Sequence, residues 1–176
     1  GCSAGQVGAR LADGFRAQQA YARGSALYQA REYAGAIPHL ESALAHQPDH
    51  DDAEALLAWS YYHAGRYLDA TRHFLQALER KPSWEGLHDG LGWSRYQVGR
   101  YRLALEAFRQ ALSLDKEYRD AGVGYAYSLF ELGRYAEALP LLARLTREGE
   151  GGGMQRPAPA QENVRSRSAW ARICRR

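Results

Sequence analysis

Between Leu91 and Leu112 apolar side chains recur at Leu91, Tyr96, Leu103, Leu105, Phe108 and Leu112. Those intervals suit the 3.6-residue period of an amphipathic helix and not the two-residue alternation of a strand. The pattern is written more than once. GWSRYQVGRYRLALEAFRQAL from Gly92 repeats AWSYYHAGRYLDATRHFLQAL from Ala58 at a step of 34 residues. The same step links Gly24, Ala58, Gly92 and Ala126, then Tyr33, Tyr67, Tyr101 and Tyr135, then Ala36, Ala70, Ala104 and Ala138, and also Ala43, Ala77 and Ala111. Four units follow, 17–50, 51–84, 85–118 and 119–152, each predicted as two helices.

The unit boundaries have physical causes. Gly65, Gly99 and Gly133 stand where each first helix stops, and a left-handed cap there is cheap for glycine alone. The first unit has Arg31 at that place, at an expected cost on the order of 1 kcal/mol if it turns left-handed. Pro48 and Pro82 close the second helices, since proline lacks the N–H and clashes with a helical predecessor. Small residues at Gly24, Ala36, Ala58, Ala70, Gly92 and Ala104 let paired helices approach, while Phe74 and Phe108 fill the wedge toward the following unit.

Leu57, Tyr61, Tyr67, Ala70, Phe74 and Pro82, and again Leu91, Gly92, Tyr101, Ala104 and Phe108, resemble the tetratricopeptide repeat. The resemblance covers residues 17 to about 148, with Leu40 and Leu142 in place of the aromatic residue and Lys116 in place of proline. It implies an all-α fold, a right-handed α-solenoid of four helical hairpins. One hairpin cannot bury its apolar face alone, and stacked copies give each face a neighbour.

Residues 1–16 are expected to be a tether. At the other end, EGEGGGMQRPAPA is expected to be a flexible linker. It leads into a basic segment within 153–176, read as half a fifth repeat, a capping helix or a solvated tail. The half-repeat could also join two copies of the chain. Gly1-Cys2-Ser3 resembles the end of a bacterial lipoprotein signal, with Cys2 acylated, against the plainer reading of a lone exposed cysteine. The only methionine is Met154, so a preceding segment is expected to have been removed. Arginine outnumbers lysine 21 to 2, a usage that suits a GC-rich bacterial genome. An acylated Cys2 would place the chain in the periplasm at the outer membrane; without it, the cytoplasm is expected.

Composition narrows the function. The chain is 45% hydrophobic and 24% charged, a globular balance. Its net charge of +3 is uneven: six Arg against two Glu lie in 150–176, which leaves the body near −1 and without a basic face for nucleic acid. Enzyme motifs such as GxSxG, HExxH and GxxxxGK are missing. Two cysteines, Cys2 and Cys174, make neither a disulfide framework nor a CxxC metal site. His46 and His50 are four apart, but Pro48 breaks the helix between them. Asp49, Asp51 and Asp52 suit the start of a helix without any metal. Neither a cofactor nor a catalytic residue is expected.

The resemblance implies that the first helices line a concave surface where ligands lie. One row at its ninth register position reads Ser25, Trp59, Trp93 and Tyr127; a second, three residues on, reads Tyr28, Tyr62, Tyr96 and Phe130. A spacing of three puts each pair side by side on one helix face. Stacked units would turn them into an aromatic ladder beginning near Tyr21, with Asp52, Asp89, Asp120, His63, Gln97 and Glu131 around it. For the Tyr28 row, packing between neighbouring first helices is the competing reading. The Trp59 and Trp93 row is expected to meet a ligand, because exposed indole rings want a partner. Two functions remain in view. One is a non-enzymatic scaffold that holds a partner protein's extended segment, recognised by stacking and cation–π contact. The alternative is a lipid-anchored envelope protein whose aromatic trough handles a glycan.

Overall fold

The computed structural model describes residues 4–149, and nothing is said of residues 1–3 and 150–176. The readings for Cys2, the linker and the basic terminal segment therefore lie outside the described residues. Eight helices follow in order: α1 Ala4–Gln29, α2 Tyr33–His46, α3 Asp51–His63, α4 Tyr67–Arg80, α5 Glu85–Gln97, α6 Tyr101–Leu114, α7 Arg119–Glu131 and α8 Tyr135–Gly149. They form four antiparallel hairpins stacked into an α-solenoid, and each helix packs on the next in sequence.

The turns inside the hairpins are one device used four times. Gly65, Gly99 and Gly133 take φ of 77°, 75° and 77°, and Arg31 takes 64° in the first hairpin. Behind each, the backbone closes in the same way. Arg66 N–H donates to the Tyr61 carbonyl at 2.8 Å, and Arg100 N–H to the Arg95 carbonyl at 2.9 Å. A non-glycine residue in this region is strained, so the first turn is the costliest of the four.

The core follows the small-residue rows. Ala36, Ala58, Ala70, Ala104, Ala126 and Ala138 are fully buried. Phe74 and Phe108 are fully buried too, and each is received by glycine on the following first helix. A Cβ built at Gly90 would lie 2.2 Å from the Phe74 ring, and one at Gly124 would lie 2.3 Å from the Phe108 ring. The first junction uses the opposite division of volume: Leu40 is the wedge and Leu56 stands at the receiving position. Wedge and socket are matched in size.

The stacking is lopsided, and this sets the site. First helices approach one another, α1 with α3, α3 with α5 and α5 with α7, whereas α2, α4, α6 and α8 make no close approach among the described residues. The stack therefore curves with the first helices on its inner wall.

One expectation is corrected here. The part of 1–16 that is described is not a loose tether: α1 runs unbroken from Ala4 into the first hairpin. The segment has no proline, and α1 continues through Gly5, Gly8 and Gly14 although glycine is a poor helix former. Its Leu11 and Phe15 are each 71% exposed. No helix among the described residues is long and apolar enough to cross a membrane.

Candidate binding groove

The inner wall is carried by α1, α3, α5 and α7, and the register dictates which side chains it presents. Tyr28, Tyr62, Tyr96 and Phe130 are half-buried, each set edge-on to the tyrosine that opens its own second helix. Ring centroids are 5.3 Å apart for Tyr28–Tyr33, 5.6 Å for Tyr62–Tyr67, 5.3 Å for Tyr96–Tyr101 and 5.0 Å for Phe130–Tyr135. Edge-to-face pairs of this kind add to simple burial. The row thus clasps each hairpin, a packing partner different from the neighbouring first helix considered above.

It reaches the neighbouring unit as well, always 35 residues on. The Tyr28 ring meets His63 at 5.9 Å. Gln97 Nε2 donates to the Tyr62 hydroxyl at 3.5 Å, and the Tyr96 hydroxyl donates to Glu131 Oε1 at 3.4 Å. Burial pushes the hydroxyls of Tyr28, Tyr62 and Tyr96 up, with Glu131 adding to the shift at Tyr96.

The tryptophan row is less exposed than an open ladder requires. Trp93 is only 8% exposed. Its ring stands edge-on to Phe108 at 5.2 Å and to Tyr96 at 5.7 Å. Trp59 repeats the arrangement with Phe74 at 5.1 Å and Tyr62 at 5.6 Å, stacks on His63 at 5.9 Å, and remains half-buried. The expectation of exposed indoles is corrected for Trp93. The small Gly92 draws its helix close to Phe108, so the indole is covered by the same wedge that fills the core. Tyr127 is half-buried on α7 and packs with the cluster around Trp93.

Asp89 also departs from its expected place on an acidic rim. It is 3% exposed, and its Oδ1 accepts no hydrogen bond. Burial pushes its carboxyl up to about 8; nearby Asp120 pushes the same way, and a hydrogen bond from the Trp93 side chain pulls down. Tyr62 of α3 and Tyr118 at the start of α7 both sense the Asp89 charge. Tyr118 is raised to about 12 by burial, then by Asp89, Asp120, Glu85 and Asp115. One helical turn before Asp89 lies Gly86, and a Cβ there would meet only Trp84 Nε1 at 3.5 Å and Tyr118 Oη at 3.7 Å. Gln97, two turns beyond Asp89, has a buried Oε1 that likewise accepts no hydrogen bond. The stretch of wall on α5 therefore carries two buried acceptor atoms, Asp89 Oδ1 and Gln97 Oε1, that no group among the described residues satisfies.

Two groups here escaped sequence reasoning. Tyr118 stands at the N-cap position of α7, at the 34-residue step from His50 and Trp84, a row of rings outside the two aromatic rows named above. Ser60, Ser94 and Ser128 form a fully buried row at the 34-residue step, each hydroxyl donating to the carbonyl four residues back at 2.7, 2.8 and 2.8 Å. The repeat spacing alone could have found them. Elsewhere the charges are self-contained. His50, and not Asp49, caps α3, with Nδ1 accepting from Ala53 N–H at 3.2 Å, while Asp51 pairs with Arg80 at 2.7 Å and Lys81 at 3.2 Å. Arg80 holds the Asp51 carboxyl below its usual range.

Comparison with known proteins agrees with this architecture. Among solved structures, MamA of strain AMB-1 superposes with a TM-score of 0.71 at 25% identity, over 78% of this chain and 82% of that one. MamA from Desulfovibrio magneticus RS-1 gives 0.72 at 16% identity, over 78% of each chain. The Arabidopsis OM64 TPR domain gives 0.63 at 17% identity, over 66% of this chain and 96% of that one. A search of curated protein sequences returned no match. The family model described as tetratricopeptide repeat matches residues 27–91 and 95–151. With most of its length in that register, the chain belongs to the tetratricopeptide repeat family.

Proposed function

We propose that the chain is a non-enzymatic interaction scaffold that holds an extended segment of a partner protein along the inner wall of α1, α3, α5 and α7. One observation carries this reading. Half-buried rings at Tyr28, Trp59, Tyr62, Tyr96, Tyr127 and Phe130 share that wall with the unsatisfied acceptors of Asp89 and Gln97. Aromatic edges supply apolar contact, and acceptors fix the register of a segment that brings N–H donors. The wall is fixed by packing before any ligand arrives, so little ordering entropy opposes binding.

A glycan would ask for open indole faces, and the edge-on cover that Phe108 and Tyr96 give Trp93 weighs against it. The test is binding of the full chain to an immobilised library of random dodecapeptides, with Tyr62→Ala and Tyr127→Ala as variants. Tight-binding members are expected to lose ~10-fold or more in affinity, on the scale of a truncated aromatic contact, while far-ultraviolet circular dichroism is unchanged. A library in which no member binds, or equal affinity in both variants, would refute the proposal.

A further inference from the structure

The geometry points to Asp89 as the anchor for an arginine side chain of the bound partner segment, an assignment that rests on the groove reading above and specifies its ligand chemistry. The repeat does not need an acid at this place. The equivalent residues of the other units are Tyr21, Ala55 and Val123, and the hairpins form around them equally well. A carboxylate that is 3% exposed with an unsatisfied oxygen is costly to bury, and such groups are normally paired. Asp89 accepts a hydrogen bond from the Trp93 side chain but has no cation beside it. The charge that bears on it is that of Asp120, of the same sign, and no arginine, lysine or histidine among the described residues forms an ion pair with it.

The surroundings select guanidinium over a compact ammonium. Trp93, Tyr62 and Tyr118 stand around the carboxylate, and a planar cation stacks on aromatic rings while its several N–H donors serve more than one acceptor. Two carboxylates, Asp89 and the exposed Asp120, are available to one fork-shaped cation. One turn before Asp89 stands Gly86, where the neighbouring units carry Asp52 and Asp120. A Cβ there would touch Trp84 at 3.5 Å and Tyr118 at 3.7 Å, so the glycine keeps those two rings free of a side chain of the chain's own. Gln97 Oε1, further along α5, then accepts a backbone N–H from the same segment.

The experiment compares two libraries of dodecapeptides, one with a fixed central arginine and one with citrulline, its neutral isostere, in that position. Both are titrated against the full chain and against Asp89→Asn. For the wild-type chain, citrulline is expected to weaken binding ~10-fold or more, the scale of a charge-assisted hydrogen bond. In Asp89→Asn that penalty is expected to vanish. Equal affinity for arginine and citrulline in the wild-type chain would overturn the anchor while leaving the groove intact, and so would a penalty that survives Asp89→Asn. Failure of both libraries to bind would overturn the groove itself. A penalty confined to a peptide spanning residues 153–176 would move the arginine from a partner to this chain's own terminus and overturn the partner assignment. The wild-type comparison stands even if the variant misfolds.

Discussion

The second and third hairpins are near copies, and they differ where it matters. Trp59 on Phe74 and Trp93 on Phe108 lie at 5.1 and 5.2 Å; Tyr62 on Tyr67 and Tyr96 on Tyr101 lie at 5.6 and 5.3 Å. Features held in common to this degree belong to the fold, because every hairpin must solve the same burial problem. At one shared register position the copies part. The second hairpin has Ala55, a small apolar residue that packs, and the third has Asp89, a buried acid that packing does not require. Shared positions read as architecture and the odd position as function.

The comparison can be broken most forcefully at its common part. Phe74→Ala and Phe108→Ala should each cost about 3–5 kcal/mol, as loss of a fully buried ring does. Urea unfolding followed by circular dichroism measures it, and unequal costs would mean that the two wedges are not equivalent.

The odd position should respond in the opposite direction. The Asp89 carboxyl rises from 3.8 to about 8 on folding, so between those values the folded chain binds more protons than the unfolded one. Stability contributed there is complete at low pH and drains away as pH climbs toward 8. Asp89→Asn should therefore stabilise the chain at pH 7 by on the order of 2–4 kcal/mol and flatten the unfolding midpoint between about pH 4 and pH 8. Asp120, Glu85, Tyr62 and Tyr118 are the other ionisable groups around it. Of these, Asp120 is exposed. A profile unchanged by Asp89→Asn would contradict this account.

A sharper test exchanges volumes between junctions. Gly90→Ala sets a methyl against Phe74 and should cost about 1–3 kcal/mol. Adding Phe74→Leu, the residue type that the first junction uses at Leu40, should recover part of it. A double variant no better than the sum of the singles would show that the sockets are not matched by size. The smallest effect belongs to the turns: Arg31→Gly should add ~1 kcal/mol by removing left-handed strain that the other three turns do not carry. Thermal unfolding would record it.

Much of this was legible in the sequence because a repeat repeats its reasons. The step of 34 residues exposes the alanine rows, the Gly65, Gly99 and Gly133 caps and the Phe74 and Phe108 wedges, each of which serves local geometry. The same step gives the positions of the aromatic rows but not how deep they sit. Depth depends on the partner across the hairpin. Trp93 is covered because Phe108 lies against Gly92, and the tryptophan's own neighbours in sequence do not reveal that. Asp89 looked like rim for a similar reason: α7 of the next unit approaches α5, and the residues around Asp89 in sequence do not reveal it. The helical stretch before residue 17 lacks any repeat partner, so periodicity was silent about it, and its Gly5, Gly8 and Gly14 hid it from propensity as well.

The lopsided packing of the stack has a mechanical consequence. Among the described residues the outer helices meet one another only through the inner ones, so a small rotation at any junction would spread the outer faces most and disturb the inner wall least.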